Sequence, residues 1–233
     1  MAQRGFDSLV LKAMKAPDYE LTVLDKEQIT DHFLRLKFQA GGLLNSHPPF
    51  PTQWVRLWVP LGGGKERQRA YTLIDANPET DEVFIEFALH DGPAANWAQN
   101  AKPGDSITAT VMGAKFNAPA ADGSVLHLFG DKASLPAINS ILDALGERSV
   151  CVWLHVQDST DVDLPIRAGA NARVKWVEGD ENALVDLAHG LDISAKNWVW
   201  ISTKAPATRA LVKYFKNEVK LPKERIESMA YWR

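Results

Sequence analysis

Through the first half of the chain, apolar residues recur at every second position in short runs. Tyr19, Leu21 and Val23 alternate with Glu20 and Thr22, and Phe33-Leu34-Arg35-Leu36-Lys37-Phe38 follows a turn expected at Asp25–Asp31. Trp54–Val59, Arg69–Ile74, Glu82–His90 and Ser106–Val111 complete the set, bounded by clusters such as Pro48-Pro49, Gly62-Gly63-Gly64 and Lys102-Pro103-Gly104-Asp105. Such runs between turn signals predict strands, and six of them predict a small antiparallel barrel or sandwich. A short helix is expected at Asp7–Lys15.

The pattern changes near Asp122-Gly123. Apolar strand-like runs at Val125–Gly130, Val150–Val156, Arg173–Val177 and Trp198–Ser202 now alternate with helical stretches. Leu135, Ile138, Ile141, Leu142 and Leu145 form one helical stripe; Asn182–His189 and Ala207–Val219 are further helices, and Ile226–Trp232 is a last strand. Strands alternating with helices predict a parallel sheet covered on both faces. The division is an N-terminal extension at 1–17, a β domain at 18–122 and an α/β domain at 123–233.

Composition narrows the class. With 233 residues, 45% hydrophobic and 24% charged, the chain is an ordinary globular protein. A net charge of −3 gives no general reason to expect nucleic acid, and no run approaches the ~20 apolar residues that cross a bilayer. The start lacks the apolar core of a signal peptide. The one cysteine, Cys151, cannot make an intramolecular disulfide or a multi-thiolate metal site. A cytoplasmic monomer is therefore expected. The average charge hides an asymmetry: residues 204–233 hold eight basic groups against Glu218, Glu224 and Glu227. That segment is either a solvated helix face or a landing site for an anionic partner.

Three segments carry candidate chemistry. In Arg69-Ala70-Tyr71-Thr72, Arg69 and Tyr71 share one strand face; an arginine fork suits a phosphate and a Tyr ring suits a planar ligand. A surface Arg paired with Glu beside a half-buried Tyr fits the same residues. In Ala88-Leu89-His90-Asp91-Gly92-Pro93-Ala94-Ala95-Asn96-Trp97-Ala98 a strand ends at His90 and a helix starts at about Ala94, so free helix amides offer an anion site. A core histidine and a core Trp are the competing reading. Gly130-Asp131-Lys132-Ala133-Ser134-Leu135-Pro136-Ala137-Ile138 is a strand-to-helix turn, the place where ligands meet parallel sheets, with Ser134 as a possible N-cap. The six histidines lack metal spacing, no G-x-S-x-G elbow is present, and Asp158, Asp161 and Asp163 read as a solvated cluster.

Taken in order, these segments resemble the siderophore-interacting proteins, flavin-dependent ferric-siderophore reductases. The shared pattern is Arg69–Thr72, His90 with Gly92–Ala98, Ala101-Lys102-Pro103-Gly104-Asp105, Gly130–Ile138 and Tyr231-Trp232-Arg233. The resemblance implies a six-stranded Greek-key barrel binding FAD, followed by an α/β nucleotide-binding-like domain. It implies that Arg69, Ala70, Tyr71 and Thr72 hold the isoalloxazine and its phosphate. Ala88, Leu89, His90, Gly92, Ala94, Ala95 and Asn96 would surround the pyrophosphate, with Trp97 near the flavin or adenine. Tyr231 and Trp232 would return to the flavin.

Several positions depart from the pattern. Ile74 stands where a basic residue is usual, the gap from His90 to Gly92 is short, and Met112-Gly113-Ala114-Lys115 replaces a G-P-x-G turn. Two acidic positions on the nicotinamide side become Lys132 and Lys204. The implied activity is transfer of electrons from NAD(P)H or a ferredoxin through FAD to a ferric siderophore; a flavin- or siderophore-binding module without turnover is the alternative. An anionic ferric chelate would meet Lys65, Lys115, Lys132, Lys204 and Arg233. A single cysteine excludes the iron–sulfur relatives of this architecture. Eight Trp against four Tyr are mostly core, with Trp97 and Trp232 set apart by their motif positions.

Overall fold

The structure is a computed structural model that describes residues 17–112, 116, 119 and 123–232. The helix expected at Asp7–Lys15, the 113–115 turn and the boundary at Asp122 lie outside the described residues. The chain forms two compact units, Met1–Phe116 and Asn117–Arg233.

The first unit contains β1 (Asp18–Thr30), β2 (Phe33–Gln39), α1 (Leu43–Ser46), β3 (Trp54–Gly62), β4 (Lys65–Thr72), β5 (Ile74–Asn77), β6 (Glu82–Ala88), α2 (Pro93–Asn100) and β7 (Ser106–Met112). It is not the closed six-stranded Greek-key barrel expected. Seven strands form one open, curled antiparallel sheet in the order β4-β3-β7-β1-β2-β6-β5. The extra strand comes from the run Arg69–Ile74, which breaks at Leu73. There the backbone N–H turns to the Gln53 carbonyl (2.8 Å), and Asp75 takes a positive φ of 48°. The strands on either side of this one residue occupy opposite edges of the sheet. A single residue spans only about 3.5 Å, so the sheet must curl to bring its edges near. No ladder joins β4 to β5 among the described residues, and the half-barrel stays open.

Alternation places Leu21 and Val23, Leu34 and Leu36, Val55 and Leu57, Val83 and Ile85, and Ile107 and Ala109 in one buried cluster. The turn expected at Asp25–Asp31 is mostly strand. β1 runs on to Thr30, where Asp25 pairs with Lys37 and Glu27 with Arg35 across β2. Its exposed residues need no apolar face, so periodicity gives no signal there.

The second unit holds β8 (Leu126–Asp131), α3 (Leu135–Leu145), β9 (Val150–His155), β10 (Ala172–Val177), α4 (Ala183–His189), β11 (Trp198–Ser202), α5 (Ala205–Asn217) and β12 (Ile226–Ser228). Its five strands are parallel, ordered β10-β9-β8-β11-β12. β8, at the centre, is buried at every residue, as a strand covered on both faces should be. Phe129 packs with Val199, Ile201, Leu211 and Phe215 on the face that α4 and α5 cover. The chain runs outward from β8 to β10 and then crosses to β11, so the carboxyl ends of β8 and β11 mark the topological switch point.

Candidate functional site

In the first unit the site is built where β4, the end of β6 and the start of α2 meet. Tyr71 packs on Phe87 with ring centroids 4.5 Å apart, Phe87 lies 6.5 Å from Trp97, and Trp97 stacks on Phe38 at 6.4 Å and 7°. An aromatic row thus links the R-x-Y-T strand to the helix. Burial pushes the Tyr71 phenol far above its ordinary value while the neighbouring Arg69 charge opposes the shift, so the hydroxyl stays a neutral donor. Arg69 is half-buried and donates from Nη1 to the Gln68 carbonyl (2.9 Å); no carboxylate pairs with it among the described residues. Ala70 is exposed and Thr72 buried on the opposite strand face.

His90 is exposed, which removes the core-histidine reading. Its ring lies over Gly92: a Cβ there would fall 2.4 Å from His90 Cε1 and 2.7 Å from Nδ1. A glycine is needed because the ring occupies that space. The same residue is the N-cap of α2, which has no side-chain cap and carries Pro93 in its first turn. The amides of Ala94 and Ala95 therefore meet no capping side chain beside an imidazole, a pairing that suits a phosphate. Leu89 and the two alanines are buried, and Ala88 is half-buried, so they shape the wall; Asn96 is exposed. Between α2, the end of β3 and the loop after α2 lies a cleft of about 450 Å³ lined by Pro60, Leu61, Pro93, Asn96, Trp97, Asn100, Ala101 and Asp105.

In the second unit several of the expected residues are joined to one another. Asp131, fully buried at the end of β8, accepts hydrogen bonds from Thr203 Oγ1 (2.7 Å), Trp232 Nε1 (2.8 Å) and the amides of Ala133 and Ser134 (3.0 and 3.3 Å). Burial raises its pKa above the ordinary carboxylate range, and these four bonds oppose the rise. Gly130 lets α3 approach, since a Cβ would meet Ser134 Oγ at 2.4 Å and Ile138 Cδ1 at 2.6 Å. Ser134 stands at the N-cap of its helix as expected but makes no side-chain cap bond; its hydroxyl donates to the Asp131 carbonyl (3.1 Å). The backbone of Tyr231 donates to Thr203 (3.1 Å), and Ala205 donates to the Trp232 carbonyl (2.8 Å). The switch-point crevice between β8 and β11 is thus tied together by the chain's own Trp232.

Two lysines expected to meet substrate are already neutralised. Lys132 is buried, and its ammonium pairs with Asp158 and, at 3.3 Å, with Asp161. Asp161 is itself buried and accepts the Gln157 and Asp158 amides (2.8 and 3.0 Å), so this cluster is an organised cap rather than a solvated loop. Lys204 pairs with Glu181 (2.8 Å) and lies 5.3 Å over the Trp232 ring. Lys65 is exposed and makes no ion pair among the described residues. Lys115 and Arg233 lie outside them. The Asp131 bridge and the Phe87 link were not read from the sequence. Both join residues far apart in the chain, and only the strand-end position of Asp131 hinted at either.

Comparison with known proteins gives two family matches. Residues 20–116 match the model described as siderophore-interacting FAD-binding domain, and residues 124–233 the one described as siderophore-interacting protein. The chain is 35% identical to the mycobactin import ATP-binding/permease protein IrtA of Mycolicibacterium smegmatis over 98% of its own length. It spans only 27% of that protein's length. It is 27% identical to the NADPH-dependent ferric-chelate reductase of Escherichia coli K12, covering 91% of this chain and 92% of that one. In fold it is similar to the siderophore-interacting protein of Acinetobacter baumannii, with a TM-score of 0.82 and 21% identity over 93% of this chain and 91% of that one.

Proposed function

The chain belongs to the siderophore-interacting protein family, and from that premise we propose that it is an FAD-dependent ferric-siderophore reductase. The observation that carries the reading is the exposed His90 ring seated on Gly92 beside the uncapped amides of α2. Two phosphates of a dinucleotide need such donors, and the donor set present fits them. Ala94, Ala95 and His90 would hold the pyrophosphate, with Arg69 as the nearby cation. Tyr71 would face the flavin ring and stay a neutral hydroxyl donor to it, with Thr72 buried on the other face of the strand. The cleft beside Trp97 would receive the adenosine half, its prolines and indole offering flat apolar walls and Asn96 and Asn100 offering polar edges.

The chemistry FAD supplies when bound is two-electron uptake and one-electron release: one NAD(P)H and two chelated Fe(III) become NAD(P)⁺, a proton and two Fe(II). The chain's own groups position and polarise; no side-chain acid or base is required of it. Fe(II) is held less tightly by hard oxygen chelators and leaves. Lys65, exposed and without an ion pair among the described residues, is the remaining described candidate to attract an anionic chelate, with Lys115 and Arg233 as further candidates.

The Escherichia coli relative is named as NADPH-dependent. In this chain the cations nearest the switch point, Lys132 and Lys204, are committed to carboxylates, and Trp232 bridges the crevice. These commitments favour a protein carrier such as a ferredoxin as electron donor over a phosphate-bearing dinucleotide. The test is anaerobic: the FAD-loaded protein is mixed with NADH, NADPH or reduced ferredoxin, then with a ferric catecholate and a chromogenic Fe(II) trap. Bleaching of the flavin band followed by trapped Fe(II) is expected, fastest with ferredoxin. A flavin that no donor reduces would leave a binding module without turnover.

A further inference from the structure

The largest uncompensated charge on the second unit lies along α5. Its buried side holds Ala207, Thr208, Leu211 and Phe215. Arg209, Lys213 and Lys216 are spaced four and three residues apart, so all three point from one face, and all are exposed. At 1.5 Å per residue they extend over about 10 Å. Lys220 follows in the left-handed turn after the helix (φ 62°), and Lys223 begins the next short turn; both are exposed. Residues 205–223 thus carry five cations against one carboxylate, Glu218. None of the five makes an ion pair among the described residues, in contrast to Lys132 and Lys204.

We propose that this face of α5 is the docking surface for an acidic electron-carrier protein. The proposal rests on the reading that the chain is reduced by a protein donor. Charge complementarity selects the occupant. A transient carrier must arrive fast and leave fast, which a small charged patch provides by steering and without deep apolar anchors. Among the described residues the exposed large apolar side chains are Leu24, Leu61, Val162, Val174, Met229 and Trp232, and none is on α5. A lipid surface is disfavoured for the same reason: no apolar side chain accompanies the cations to insert. A single-stranded nucleic acid is disfavoured because the face presents no aromatic ring for stacking, and the whole chain carries a net charge of −3.

The experiment compares the full chain with a charge-reversed variant, R209E/K213E/K216E, and with the milder K213A/K216A. Binding of oxidised plant-type ferredoxin is followed by stopped flow and titration calorimetry from about 50 mM to about 300 mM salt. Phosphatidylserine vesicles and a single-stranded oligonucleotide serve as competing probes. Wild type is expected to bind ferredoxin with an affinity that falls with salt. The triple variant should lose at least about tenfold in association rate and the double variant a smaller factor, with FAD content and melting temperature unchanged. Equal ferredoxin binding by wild type and both variants overturns the proposal, as does a loss confined to vesicles or oligonucleotide. Because oxidised ferredoxin is used, binding is read without turnover. A protein that docks ferredoxin through α5 yet is not reduced by it would sink the protein-donor reading alone.

Discussion

The residue whose replacement best separates a phosphate site from a mere turn is Gly92. Its φ of −145° and ψ of 156° suit alanine without backbone strain. The added methyl, however, would fall 2.4 Å from His90 Cε1, where ordinary contact begins near 3.4 Å, so the imidazole must retreat by about 1 Å. The ring is exposed and free to swing, so folding should hardly notice. Alanine's smaller unfolded-state entropy offsets the crowding, and net stability should change by less than about 1 kcal/mol. Binding should notice more. A hydrogen bond to a charged phosphate contributes about 1.5–3 kcal/mol, so displacing His90 should weaken FAD by about tenfold or more. Quenching of flavin fluorescence gives the Kd, and calorimetric melting of the FAD-free protein gives the stability. An unchanged Kd in both Gly92→Ala and His90→Ala would refute the assignment. A rise in Kd matched by an equal loss of stability would reduce Gly92 to a folding residue.

Four further outcomes follow from the packing. Asp131→Asn should cost about 2 kcal/mol by urea unfolding, because an amide cannot accept from Thr203, Trp232 and two backbone amides at once. The carboxyl's raised pKa means the native state binds the extra proton, so its contribution to stability falls as pH rises from the ordinary Asp value through the raised one. Asn should remove that slope. His127 behaves oppositely: burial lowers its pKa to about 4, so stability is lost as pH falls from about 6.5 to 4. That loss amounts to about 3 kcal/mol, and His127→Leu should flatten this limb of a melting-temperature profile. Lys132→Ala strands Asp161 in a buried site and should cost about 3 kcal/mol, read by the same unfolding curves, while leaving the KM for a ferric catecholate unchanged. Trp97→Ala should weaken FAD more than FMN in fluorescence titrations, since the cleft it lines would take the adenosine half.

What could be read in the sequence was local. His90, Gly92 and the start of α2 are contiguous, and the turn chemistry that exposes the helix amides is written in consecutive residues. The inward alternation of β2, β3 and β6 was equally plain, because one face of each is buried. The break at Leu73 was hidden because Arg69–Ile74 is an unbroken strand-like run. What ends β4 is a bond to Gln53, twenty residues earlier, and the half-barrel opens as a result. The fate of Lys132 was hidden in the same way. Spacing exposes a charge in a turn but not the two carboxylates, at 158 and 161, that the fold delivers to it. Trp232 reaches Asp131 across 101 positions, a contact that only the topology of the parallel sheet creates.

The central claim is that unit one holds FAD by its pyrophosphate at α2. A crystal structure of the protein grown with FAD tests it most directly. The phosphate oxygens should lie within hydrogen-bond distance of the Ala94 and Ala95 amides and the His90 ring, with the isoalloxazine against Tyr71. Phosphates found away from α2, or a flavin seated elsewhere with His90 and Gly92 untouched, would contradict it.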